Sequence, residues 1–195
     1  MLKQAVIALR ITLVTLVLTG LLYPVVVTGL AQVIFPSQAN GSLLRNEEGE
    51  LVGSGLIGQA FAQPSYFHPR PSAAGQGYDG TASGGSNLGP TSQKLRNRMA
   101  QDAQRLRREN PDAPGPVPAE LVMASASGLD PHLSPAAALW QVPRVARARH
   151  LPPERVRQVV LDRIEGRDLG LLGEPRVNVL ELNLALDRHF GKPYR

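Results

Sequence analysis

The sequence predicts an α+β fold: one N-terminal transmembrane helix followed by a compact extracytoplasmic domain with a small sheet and about four helices. Three observations predict it. Residues from Ile11 to Leu44 carry no charge, and the apolar run within them reaches Phe35. Beyond it, apolar residues recur at helical spacing in stretches separated by Pro and Gly. Short apolar runs on either side of a polar turn near Asn46 supply the strands. The chain has 195 residues, 43% of them hydrophobic, enough for one domain with a core and an appendage. It divides into a cytoplasmic N-terminus (1–10), a transmembrane helix (11–35) and the extracytoplasmic domain (36–195).

A helix of about 20 residues crosses a bilayer core of about 30 Å. The run "ITLVTLVLTGLLYPVVVTGLAQVIF", Ile11 to Phe35, exceeds that length. A cleaved signal peptide is the competing reading. Lys3 and Arg10 would form its charged start, and cleavage after Ala31 would leave Gln32 as the mature N-terminus. A signal peptide's apolar region spans about 7–15 residues, so the length favours a retained anchor. Lys3 and Arg10 precede the run, whereas Glu47, Glu48 and Glu50 follow on the far side after Arg45. The positive-inside rule then puts the N-terminus in the cytoplasm and the rest of the chain outside a cell inner (plasma) membrane. Thr15 and Thr19 have the small-xxx-small spacing that lets helices approach. With Gly20, Tyr23 and Pro24 they are the candidates for packing against other membrane helices. Pro24 removes the helical partner of the Gly20 carbonyl and predicts a kink.

"SLLRNEEGELVGSGLIGQAF", Ser42 to Phe61, reads as a strand, a turn at Asn46–Gly49 and a second, glycine-interrupted strand. Ala62 to Pro90 is a long loop rich in Gly, Pro and Ser. Tyr66, Phe67 and Tyr78 argue that it is ordered. A helix follows to Glu109, capped by Thr91 or Ser92 and stopped by Pro111. "AELVMASAS", Ala119 to Ser127, reads as a strand. Ser134-Pro135 opens the next helix, with a kink or restart at Pro143. Pro153 opens another, ended by Gly166. In the last element Leu180, Leu182, Leu184 and Leu186 alternate like a strand. Asn178 and Glu181 have capping-box spacing, and they decide for a helix.

Composition excludes several chemistries. With no cysteine there is no disulfide, thiolate metal site or cysteine nucleophile. His68, His132, His150 and His189 have no metal-ligand spacing, so no metal site is expected. The net charge of +5 suggests nucleic acid. Yet the arginines share their helices with Asp102, Glu109, Asp162 and Glu165, without interleaved aromatics, so nucleic acid is not an expected partner. No G-x-S-x-G elbow marks a catalytic serine, and no catalytic residue is assigned. His68, Arg70 and Asp79 in one loop could gather around an anion, or simply bond within the loop. Ser83, Gly84, Gly85, Ser86 and Asn87 precede a helix, as in phosphate cradles. No Lys-Ser/Thr pair follows the glycines, so the P-loop template fails. The residues alone leave open a secreted or membrane-anchored hydrolase and an anchored binding module unrelated to transport.

Four blocks carry a resemblance. They are "YPVVVTGLAQVIFPSQANGSL"; "GSGLIGQAF" with "YFHPRPSAAGQGYD" and "SGGSNLGPTS"; "LVMASASGLDPHLSPAAALWQVPRVARAR"; and "GEPRVNVLELNLALD". In this order, from about Tyr23 to Asp187, the chain resembles the C subunit of the Kdp potassium-transporting P-type ATPase of bacteria. The resemblance implies a non-catalytic, single-span accessory subunit of an ATP-driven potassium uptake complex. Its partners would be a channel-like potassium-translocating subunit, a P-type ATP-hydrolysing subunit and a small membrane peptide. It would stabilise assembly and act as a catalytic chaperone that promotes ATP binding by the ATP-hydrolysing subunit. No cofactor would be held stably, and ATP would come only through that chaperone role, with Ser83 to Asn87 as the candidate contact. The predicted topology opposes direct contact, because ATP is cytoplasmic. Docking on the channel-like subunit is expected instead from Tyr66, Phe67, His68, Arg70, Asn87 and Asp130.

Overall fold

The computed structural model describes residues 1–193. They form two units, Met1–Leu44 and a domain beginning at Arg45. In the first, α1 (Leu2–Val17), a π-helical turn (Leu18–Leu22) and α2 (Tyr23–Ile34) run on as one helix of 33 residues. At 1.5 Å per residue this is about 50 Å long, beyond the ~30 Å of a bilayer core. The helix therefore starts at Leu2, well before Ile11, and includes Lys3 and Arg10. The disturbance expected at Pro24 takes the form of the π turn just before it, where the Tyr23 N–H reaches the Leu18 carbonyl. Widening the helix by one residue accommodates a proline that brings no N–H. Thr15 donates to the Ile11 carbonyl at 2.9 Å and Thr19 to the Thr15 carbonyl at 2.7 Å. A short α3 (Pro36–Ala39) follows.

Next in the chain, β1 (Leu43–Arg45) and β2 (Leu51–Ser54) form a two-stranded ribbon. Its turn is the predicted one. Asn46 Oδ1 accepts from the Glu50 N–H at 2.8 Å, and Gly49 takes the left-handed conformation. β2 ends at Ser54, short of the expected second strand, because the chain turns there. α4 (Gln93–Glu109) is capped by Ser92, whose hydroxyl accepts from the Leu95 N–H. α5 (Pro135–Arg149) is capped by Ser134 and runs unbroken through Pro143. No restart occurs. Val142, Val145 and Ala146 are buried on either side of the proline, and their packing holds the helix despite one missing bond.

α6 (Pro153–Asp162) stops short of Gly166, because the chain enters an antiparallel bridge between Glu165 and Arg176. β3 (His132–Leu133) pairs antiparallel with β4 (Val177–Asn178). α7 (Val179–Phe190) starts from Asn178, whose side chain accepts from the Leu180 and Glu181 N–H groups. Val179, Leu182, Ala185 and Leu186 are buried at helical, not strand, spacing. The strand expected over 119–127 is instead a 3-10 turn (Ala119–Leu121) and irregular chain. Its carbonyls serve loop residues, and the Glu120 carboxylate accepts from the Ser134 N–H and hydroxyl, so no ladder forms. The core gathers Leu133, Trp140, Val145, Val156, Val160, Val177, Leu182 and Leu186. Phe67, from the long loop, is part of it.

Candidate functional site

The long loop is fastened to the domain by side chains, not by a ladder. At Phe67 the N–H donates to Asn183 Oδ1 at 2.9 Å, and Asn183 Nδ2 donates back to the Phe67 carbonyl at 3.0 Å. His68 repeats the arrangement with Gln141 of α5, at 2.9 Å in both directions. Arg144 donates to the Pro64 carbonyl at 2.6 Å, and Arg149 to the Ser65 carbonyl at 2.7 Å. Successive backbone groups that would otherwise be buried without partners are thus satisfied by two amides and two guanidinium groups.

Around this strap the charges are arranged in pairs. Arg149 meets Asp187 at 2.8 Å, with its side chain only 3% exposed. Asp187 also accepts from the Tyr66 hydroxyl at 2.9 Å, and the Arg149 guanidinium lies 4.9 Å from the Tyr66 ring centre. Burial, then the bond to Asp187, pushes the Tyr66 phenol up to about 12. Burial alone does the same for Tyr78, whose hydroxyl donates to the Arg70 carbonyl. His68 is held below its ordinary value, first by burial and then by the Arg144 charge. Its Nε2 lies 3.0 Å from the Gln63 carbonyl and 3.4 Å from Arg144 Nη1. Burial lowers Arg144 itself to about 10.

His68, Arg70 and Asp79 do not gather around one point. Arg70 pairs with Asp130 at 3.1 Å, while Asp79 folds back on the Thr81 hydroxyl and N–H. Asp130 is held below the usual carboxylate range, chiefly by the His132 side chain, with the His132 N–H and Arg70 contributing. His68 and Arg70 do line one cleft of about 230 Å³, with Tyr78, Asp102 and Arg105. Phe67 is fully buried, so its side chain offers a partner no surface. Tyr66, His68, Arg70 and Asp130 are half-buried, and Asn87 is exposed in a left-handed conformation.

Ser83 to Asn87 form a second strap. The Gly84 N–H and the Ser83 hydroxyl both donate to the Ser127 carbonyl, at 2.8 and 3.0 Å. A Cβ at Gly85 would stand 2.9 Å from the Ala126 oxygen. At Gly128, on the opposite side, it would stand 2.6 Å from the Ala74 nitrogen. These two glycines allow backbone to approach backbone. Among the described residues no group of three His, Asp or Glu is placed to hold a metal ion.

The family model described as K+-transporting ATPase, c chain (KdpC) matches residues 5–188. This chain belongs to the KdpC family. A Myxococcus xanthus protein named potassium-transporting ATPase KdpC subunit is 69% identical over 184 residues, covering 94% of this chain and 87% of that one. One of the same name from Koribacter versatilis is 54% identical, covering 95% and 94%. Another from Bradyrhizobium diazoefficiens is 51% identical, covering 98% and 100%. The KdpC match takes in both straps and the residues that receive them. Sequence reasoning missed that receiving side: Gln141, Arg144, Arg149, Asn183 and Asp187. The available signal was polar: Gln141 and Asn183 each interrupt an otherwise apolar helix face.

Proposed function

We propose that this chain is the accessory, non-catalytic subunit of an ATP-driven potassium uptake complex. The KdpC match over residues 5–188 carries this reading. The partners are a channel-like potassium-translocating subunit, a P-type ATP-hydrolysing subunit and a small membrane peptide. The helix Leu2–Ile34 anchors the chain in the plasma membrane, supported by its length and its uncharged stretch from Ile11. Lys3 and Arg10 favour a cytoplasmic N-terminus and an extracytoplasmic domain.

In this topology the chain raises the ATP affinity of its partner indirectly, by binding one conformation of the complex better than another. The straps support that role. They hold Tyr66, Arg70 and Asp130 on a preorganised surface, which lowers the ordering cost of docking. The second strap spends the Gly84 N–H and the Ser83 hydroxyl on Ser127, which weakens the case for ATP contact there.

Two measurements test the proposal. The KM for ATP of the complex is expected to rise when this chain is omitted, and an unchanged KM contradicts the chaperone role. In sealed cells, a thiol introduced by Ser86→Cys is expected to react with a membrane-impermeant maleimide. Reaction only after lysis contradicts the topology.

A further inference from the structure

After α6 the chain forms a finger that the straps do not use. Glu165 and Arg176 exchange backbone bonds of 2.8 and 3.0 Å. Asp168 and Leu172 exchange two more of 2.9 Å. The turn between them puts Leu169 in the left-handed region, at φ 54°, where a leucine is uncommon. Leu169, Leu171 and Leu172 are 91%, 81% and 62% exposed. Ion pairs ring them: Arg167–Glu174 at 2.8 Å, Arg176–Glu165 at 2.9 Å and Arg176–Asp168 at 3.5 Å.

We propose that this leucine tip seats in an uncharged apolar pocket on another protein subunit of the ATPase complex, an inference that rests on the subunit reading above. Area argues against a second copy of this chain. Three leucines present a patch on the order of 400 Å². That is about half of the ~800 Å² each side contributes to a stable free-standing interface. A subunit already held close by other contacts needs no more, because tethering supplies the effective concentration. Charge argues the same way. Every rim carboxylate is paired, Glu174 with Arg167 and both Glu165 and Asp168 with Arg176, so no unpaired charge faces a partner and the tip suits an uncharged surface. It brings no basic excess toward anionic headgroups. The doubly bridged hairpin holds its shape before contact, which lowers the ordering cost of seating in a shaped pocket.

The chain has no cysteine, so Leu171→Cys supplies a single thiol for maleimide. The full-length variant is labelled alone in detergent, alone in phosphatidylcholine liposomes, and within the co-expressed, purified complex. Alkylation is expected to be about tenfold slower in the complex than in either preparation of the chain alone, as for a desolvated interface core. Equal rates in complex and detergent overturn the proposal, while co-purification of the chain leaves the subunit reading standing. Equal protection in liposomes without partners overturns it in favour of lipid. Failure of the wild-type chain to co-purify overturns both readings. Leu171→Asp at this exposed position is expected to lower the yield of co-purified complex, with Leu171→Met restoring it. An undiminished yield counts against the pocket.

Discussion

Residues 63–68 and residues 165–176 are both short of regular structure, yet they are built in opposite ways. The first segment gives its backbone to side chains from elsewhere: Asn183, Gln141, Arg144 and Arg149 hold its carbonyls, and Phe67 fills the core. The second satisfies its backbone within itself and turns its leucines outward. In an irregular segment, the destination of the backbone bonds separates a part of the core from a part made for contact. The strap should therefore govern stability, and the finger should leave stability alone while governing assembly.

The largest effect is expected from Phe67→Ala, a loss of ~3–5 kcal/mol from removing a fully buried ring. Denaturation of the full chain in detergent, followed by fluorescence of Trp140, its one tryptophan, measures it. A loss under about 1 kcal/mol, the range of exposed surface sites, would erase the contrast with the finger. Asn183→Leu should cost ~1–3 kcal/mol by the same assay, because the Phe67 N–H and carbonyl lose their buried partner. Gly128→Ala should cost on the order of 1–3 kcal/mol, from its close approach to Ala74 and its φ of +68°. Gly84→Ala, with nothing within 4 Å, should stay within ~0.5 kcal/mol. A reversed order would mean that the glycines do not serve close approach.

Alkali offers a gentler probe of the strap. Tyr66 and Tyr78 are pushed up to about 12, above the ordinary tyrosine value of 10.0. The unfolded chain therefore releases protons that the folded domain keeps. Stability is complete below about pH 10 and falls as pH rises toward 12. Tyr66→Phe should flatten part of that decline, as read from midpoints of denaturation across the window. The smallest effect belongs to the finger, where Leu171→Asp should change stability by no more than ~0.5 kcal/mol.

How much of this was legible in the sequence depends on how far apart the partners lie. The α7 cap was readable because Asn178 and Glu181 are neighbours. The Asn46–Gly49 turn was readable for the same reason. The long apolar helix was readable from its length, although its extension back to Leu2 was not, because Lys3 and Arg10 continue it without a stop signal. Residues 119–127 misled because their short apolar run concealed hydrogen bonds that go to a distant loop. The clamps were invisible: His68 and Gln141 are 73 residues apart, and Phe67 and Asn183 are 116 apart. Phe67 was read as a surface aromatic for docking because nothing local shows that an amide will draw its backbone inward.

The subunit reading is tested most directly by co-expressing the tagged full chain with the channel-like and ATP-hydrolysing subunits of its host, then purifying on the tag in mild detergent. Retention of both partners on the tagged chain is the predicted result. A chain that elutes alone, while the other two subunits assemble and hydrolyse ATP unchanged, would contradict it.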